Sequence, residues 1–152
     1  MSTKVTISPH GYPLENSGSL SLVHAIRGFE GRLIRWLLDQ LASEGFQNLS
    51  GSMLSFLGSL DCGDNHASKL ARQMGVSRQA IHKQVKEAER LGWLVTDDHE
   101  TLGNQRVIRF TDEGERMMSV ARSKFAQLDG ILEGALAGGP AKLAAELNAL
   151  DL

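Results

Sequence analysis

Leu70-Ala71-Arg72-Gln73-Met74-Gly75-Val76-Ser77-Arg78-Gln79-Ala80-Ile81 is the stretch whose reading decides the fold. Two short helices meet in it across a turn of about three or four residues. Ala71 is small where the helices must cross closely. Gly75 is the residue type favoured just past a helix end, and Ser77 is placed to cap the second helix. Leu70, Met74, Val76, Ile81 and, one turn on, Val85 are expected to form the small core between the helices. This is the sequence form of a helix-turn-helix, whose second helix enters the major groove of DNA.

The polar side of that second helix points the same way. Ser77, Arg78, Gln79, His82, Lys83 and Lys86 lie towards its N-terminal half, the part that meets base edges. Arginine can pair with guanine and glutamine with adenine in bidentate geometry, whereas lysine suits phosphates. Residues 66–90 hold six Lys or Arg against two acids, in a chain whose formal net charge is −2. Positive charge is therefore gathered on one motif. A basic helix face by itself is usually solvated surface; its combination with the turn, the cap and a downstream hairpin is what points to DNA.

Outward from the motif, the upstream sequence reads as helices. A long amphipathic helix is expected from about Ser19 to Glu44, with Leu22, Val23, Ile26, Phe29, Leu33, Ile34, Leu37, Leu38 and Leu41 at helical spacing. A second is expected over Ser50–Leu60. The turn Asp61-Cys62-Gly63-Asp64-Asn65 offers Asp64 or Asn65 as a cap for the helix starting near His66. Residues 1–18, polar and punctuated by Pro9, Gly11, Pro13 and Gly18, read as a flexible arm.

Downstream of Gly92 the period changes. Trp93-Leu94-Val95-Thr96 and Arg106-Val107-Ile108-Arg109-Phe110 are strand-like, and the polar stretch between them suggests a β-hairpin with a long exposed tip. Thr111, followed by Asp112 and Glu113, is a hydroxyl cap with two carboxylates at the positive end of a helix. That helix is expected to run to about Leu136, where Gly138-Gly139-Pro140 breaks it before a final short helix over Ala141–Leu150.

This order resembles that of the MarR family of bacterial regulators over residues 20–150. The residues that carry the resemblance are Ser68-Lys69-Leu70-Ala71 through Gly75-Val76-Ser77-Arg78-Gln79-Ala80-Ile81, then Arg90-Leu91-Gly92-Trp93-Leu94-Val95, and Val107-Ile108-Arg109-Phe110-Thr111-Asp112-Glu113-Gly114. The last block is similar to the family's second wing strand running into Leu-Thr-x-x-Gly at a helix start. The resemblance implies a mainly α, winged helix-turn-helix protein with a two-stranded β-hairpin wing and N- and C-terminal dimerisation helices. It implies double-stranded DNA and a second copy of the chain as partners, a palindromic operator, and release by a small aromatic effector or by oxidation. The family's wing usually carries Asp-x-Arg, whose arginine reaches the minor groove. The matching stretch here is Leu102-Gly103-Asn104, with Arg106 two residues on, so Asn104 or Arg106 is expected to take that role.

The expected organisation is a flexible arm over 1–18, a helical dimerisation region over 19–46 and 112–152, and a winged helix-turn-helix over 47–111, intertwined as one domain. Dimerisation is also expected from the terminal helices, which carry more apolar surface than a lone subunit could bury. The acidic start of the hairpin tip (Asp97, Asp98, Glu100) and the missing wing arginine leave open an alternative, a winged-helix protein-interaction module without specific DNA binding.

Other chemistries find less support. No Gly-rich phosphate loop, nucleophile elbow or convincing carboxylate pair is present, so no enzyme activity is expected. Asp61, Cys62, Asp64 and His66 match no zinc spacing, and neither a metal nor a cofactor is expected. Cys62 has no basic residue near it in sequence and is flanked by acids, unlike reactive cysteines. Trp36, Phe46, Phe56 and Phe29 could line an effector pocket, although aromatics at helical spacing are core in most proteins. A single cysteine suits a reducing compartment. No signal peptide or membrane span is visible, so a cytoplasmic protein is expected.

Overall fold

A computed structural model describes residues 5–97 and 106–151 of the chain. It is mainly helical and divides into two compact units, Met1–Trp36 and Leu37–Leu152. In the first, β1 (Val5–Ile7) pairs antiparallel with β2 (Pro13–Glu15), Val5 opposite Glu15 and Ile7 opposite Pro13. The arm expected from the sequence thus contains a small hairpin. Its signal is the run Val5-Thr6-Ile7, β-formers too few to register against the surrounding proline and glycine.

The helix α1 (Gly18–Ser43) begins in the first unit and ends in the second. Ser17 Oγ accepts from the Leu20 backbone N–H at 3.1 Å, satisfying one orphan donor of the first turn. Leu22, Val23, Ile26 and Phe29, apolar positions that help set its helical period, are 42–47% exposed. Among the described residues of the unit, nothing buries their face. Leu37 and Leu41, further along the same helix, are buried in the second unit.

That unit is built on α2 (Gly51–Gly58), α3 (Ala67–Met74), α4 (Arg78–Arg90), the antiparallel strands β3 (Leu94–Asp97) and β4 (Val107–Phe110), α5 (Asp112–Ala135) and α6 (Gly139–Asn148). Ser50 caps α2, its Oγ accepting from the Met53 N–H at 3.1 Å. Met53, Leu54, Phe56 and Leu57 then enter the core with Phe46, Leu70, Ile81, Val85, Trp93, Leu94, Ile108 and Met117. Phe46 meets Trp93 at a ring separation of 6.1 Å, and the Arg116 guanidinium lies 4.4 Å from the centre of the Phe46 ring.

Two expectations for the helix-turn-helix core are corrected. Met74 and Val76 are exposed, not buried between α3 and α4. The turn places them outside the contact that Leu70, Ala71, Ile81 and Val85 close, and Met74 Sδ instead accepts from Ser59 Oγ at 3.4 Å. Nor does Asp64 or Asn65 cap α3: the N-cap position is His66, which makes no side-chain cap bond. Asn65 is turned inward, 2% exposed. Its amide closes the turn on the Asp61 N–H and carbonyl, both at 2.9 Å, while its backbone exchanges hydrogen bonds with Ile108 at 2.9 and 3.0 Å. A single residue thereby adds a third, one-residue strand position beside β4, which no strand-like run in the sequence announces.

The wing joins α5 through Thr111. Its Oγ1 donates to the Gly92 carbonyl at 2.6 Å and accepts from the Gly114 N–H at 3.0 Å, and its own N–H donates to the Trp93 carbonyl at 3.1 Å. Gly114 is buried there, and a Cβ on it would fall inside the contact shell of the Trp93 carbonyl oxygen. This is the physical reason for glycine three residues after the threonine.

Candidate nucleic-acid interface

The geometry of α4 is set at both ends. Gly75 adopts φ 65°, ψ 30°, the left-handed conformation that lets the chain reverse after α3 at no steric cost. Ser77 Oγ accepts from the Ala80 N–H at 3.1 Å and starts α4. Ile81, Val85 and Ala88 are buried and fix which face points inward.

The opposite face is the candidate site. Ser77, Arg78, Gln79, His82 and Lys83 are exposed, and Lys86 follows them one turn on, exposed as well. Gln79, Lys83 and Lys86 repeat at helical spacing, so they share one side, with Arg78 and His82 alongside. An open groove of about 830 Å³ runs along this side, lined by Ser77, Gln79, His82, Lys83, Lys86 and Arg90 among others. Among the described residues, no carboxylate forms an ion pair with Arg78, Lys83 or Lys86. One of the helix's two acids, Glu87, is engaged by Arg90 at 2.6 and 2.9 Å. That hydrogen-bonded pair holds the Glu87 carboxyl below its ordinary range, so its charge is matched on the spot.

A second groove, about 610 Å³, lies over the turn and is lined by Ser68, Ala71, Arg72, Gly75, Val76 and Arg78. It brings Arg72 of α3 beside the start of α4. Sequence reasoning does not single out Arg72; its signal is a basic residue shortly before the glycine, away from the buried Leu70 and Ala71.

Of the two wing candidates, Arg106 is exposed just before β4, and Asn104 lies outside the described residues. The wing's base carries a different arginine. Arg109 Nε donates to Asp64 at 2.6 Å and its Nη1 to Asp97 at 2.7 Å. Hydrogen bonding to Asp64 first, and the charges of both acids, raise the affinity of this guanidinium for its proton.

The acids around Cys62 have partners of their own. Asp61 pairs with Lys69 at 3.0 Å and Asp64 with Arg109, and among the described residues no three His, Cys, Asp or Glu side chains gather as metal ligands. Cys62 is exposed and its Sγ accepts from Arg122 Nη2 at 3.1 Å, a cation that sequence distance conceals. Phe46 and Phe56 are core residues, whereas Phe29 is exposed on α1. No helix among the described residues is long and apolar enough to cross a membrane.

No protein-family model and no curated protein matches the sequence. Solved structures do match in fold. A mutant MarR from E. coli complexed with operator DNA superposes with a TM-score of 0.64 at 16% identity, covering 84% of this chain and 89% of that one. The PcaV transcriptional regulator from Streptomyces coelicolor, in complex with its natural ligand, gives 0.60 at 17% identity, covering 84% of each chain. CouR from Rhodococcus jostii RHA1, bound to p-coumaroyl-CoA, gives 0.62 at 18% identity, covering 87% of this chain and 91% of that one. With its capped α4, its two-stranded wing and its long terminal helices, the chain has the winged helix-turn-helix fold of the MarR-family transcriptional regulators.

Proposed function

We propose that the chain is a sequence-specific DNA-binding transcriptional regulator of MarR type, acting in the cytoplasm as a homodimer on a palindromic operator, with no enzymatic activity. The observation that carries this reading is the exposed face of α4. Arg78 and Gln79 stand in its first turn, where base edges are read, and Lys83 and Lys86 follow along the same helix for phosphates. Ser77 and His82 complete the contact face, and Arg106 is the described residue of the wing assigned to DNA. Asn104 is assigned there with it from the sequence alone.

Two further observations support the dimer and the effector. The uncovered apolar positions of α1, with Phe125 and Ile131 on α5, suit helices that pack against a second copy. The ligand-bound PcaV and CouR structures support a small-molecule effector; in this reading the effector favours a dimer spacing unfit for DNA.

The test is duplex binding across salt, using sequences selected by the protein from a random pool beside scrambled controls. Arg78→Ala or Gln79→Ala should cost about 1–3 kcal/mol and relax preference at one position per half-site. Lys83→Ala or Lys86→Ala should weaken all sequences alike and lower the salt slope by about one unit. Equal losses on selected and scrambled DNA for all four variants would remove this division of roles. Absence of any preference for the selected duplex would favour the protein-interaction module instead.

A further inference from the structure

Besides the hydrogen bonds between Asn65 and Ile108, a cluster of three side chains ties the described part of the wing to the turn before α3. Register places Arg109 of β4 opposite Val95, and Asp97 opposite Val107, two residues away on the same strand. Arg109 and Asp97 are therefore diagonal neighbours on one face of the hairpin, within reach of each other for a long side chain. The second carboxylate comes from elsewhere. Asp64 lies in the turn that leads into α3, and that turn is fixed by Asn65 to Ile108 on one side and by the Asp61–Lys69 pair to α3 on the other.

We propose that Arg109 is a positioning residue for DNA binding: it sets the attitude of the wing relative to α4 by clamping β3 and β4 onto the turn before α3. The inference rests on the reading of α4 as the DNA-reading helix. The chemistry requires arginine in particular. A planar guanidinium offers Nε and Nη1 in fixed directions and holds two carboxylates at once, whereas an ammonium is a point charge without that fork. The side chains of Arg109, Asp64 and Asp97 are 36%, 55% and 42% exposed, so each pair adds little to stability. Orientation is what the clamp supplies. It also commits the Arg109 charge to two acids; the wing residue assigned above to DNA is Arg106, just before β4.

Arg109→Lys keeps the net charge and removes the fork, so it separates geometry from electrostatics. The experiment combines it with Arg106→Ala and measures binding to the selected duplex as a function of salt. In the wild-type background Arg106→Ala should lower the salt slope by about one unit, the signature of one phosphate contact. In the Arg109→Lys background the same substitution should change nothing, because the wing no longer delivers Arg106. A purely structural role for Arg109 would scale all affinities by the folded fraction and leave the Arg106 increment intact. An undiminished increment overturns the proposal, as does an Arg106→Ala variant without effect in the wild type. Should Arg109→Lys melt before the assay temperature, Asp64→Asn removes the other end of the clamp and must abolish the Arg106 increment in the same way. Failure of the underlying reading is distinguishable, since Arg78→Ala would then leave duplex binding unchanged.

Discussion

Glycine to alanine is a single methyl group, and at two positions of α5 it should act with opposite sign. At Gly114 the new Cβ would press into the Trp93 carbonyl oxygen and come within 3.0 Å of Phe110 Cδ1. The obstructing oxygen is backbone and also accepts from the Thr111 N–H at 3.1 Å, so it cannot yield without disturbing the joint between wing and helix. Overpacking of a closed site costs about 1–3 kcal/mol, and loosening one hydrogen bond about a further 1 kcal/mol. The gain in helix propensity returns at most about 1 kcal/mol. The net loss is about 2 kcal/mol, which for a chain of this length lowers Tm by about 4–8 °C. Gly130, in the same helix, has nothing within 4 Å of a built Cβ. There only the propensity remains, and Gly130→Ala should raise stability by up to about 1 kcal/mol. Thermal melts and urea titrations of both variants, followed by circular dichroism, read the difference. Shifts in the same direction for the two substitutions would refute the close-approach argument.

Other perturbations test neighbouring parts of the same geometry. His66 stands at the N-cap of α3 with no cap bond and a buried Nδ1 that has no partner among the described residues; His66→Ser should add about 1 kcal/mol, seen as a raised urea midpoint at unchanged slope. Glu44 is held below its ordinary carboxyl range, first by the hydrogen bond from Lys124 at 2.7 Å and then by its charge. A depressed acid contributes stability above its unfolded pKa and loses it as pH falls through the folded value. Glu44→Gln should therefore lower Tm at pH 7 and converge on wild type in acid, and a Tm gap that persists in acid would contradict this. Ile26→Glu, on the uncovered stripe of α1, should shift the chain towards monomer in sedimentation velocity and weaken operator binding while leaving secondary structure intact.

Much of this architecture is legible in the sequence because its signals are local. Ser77 and Thr111 each read as helix caps from hydroxyl and context, and each makes the expected bond to a backbone N–H three residues on. Gly75 and Gly92 read as helix ends, and both take positive φ. The exposed face of α4 follows from Ile81 and Val85, since the helical period fixes the opposite side once the buried one is known. What escapes is made by distant partners. Asn65 looks like a cap because capping is a common use of asparagine before a helix, yet Ile108 recruits it into the sheet. Cys62 keeps company in sequence with acids alone, and Arg122 arrives from α5. Met74 and Val76 suit a core by hydrophobicity, a property that says nothing about which way a tight turn aims its side chains.

The crossing of α3 and α4 is fixed by a glycine backbone, a serine cap and the buried residues Leu70, Ile81 and Val85, so of the residues assigned to DNA only Ser77 takes part in it. The outer positions of α4 can be exchanged without reopening the question of how the helix is held. Structures that share this fold at 16–18% identity are what such a separation permits: one scaffold beneath a surface free to change a side chain at a time.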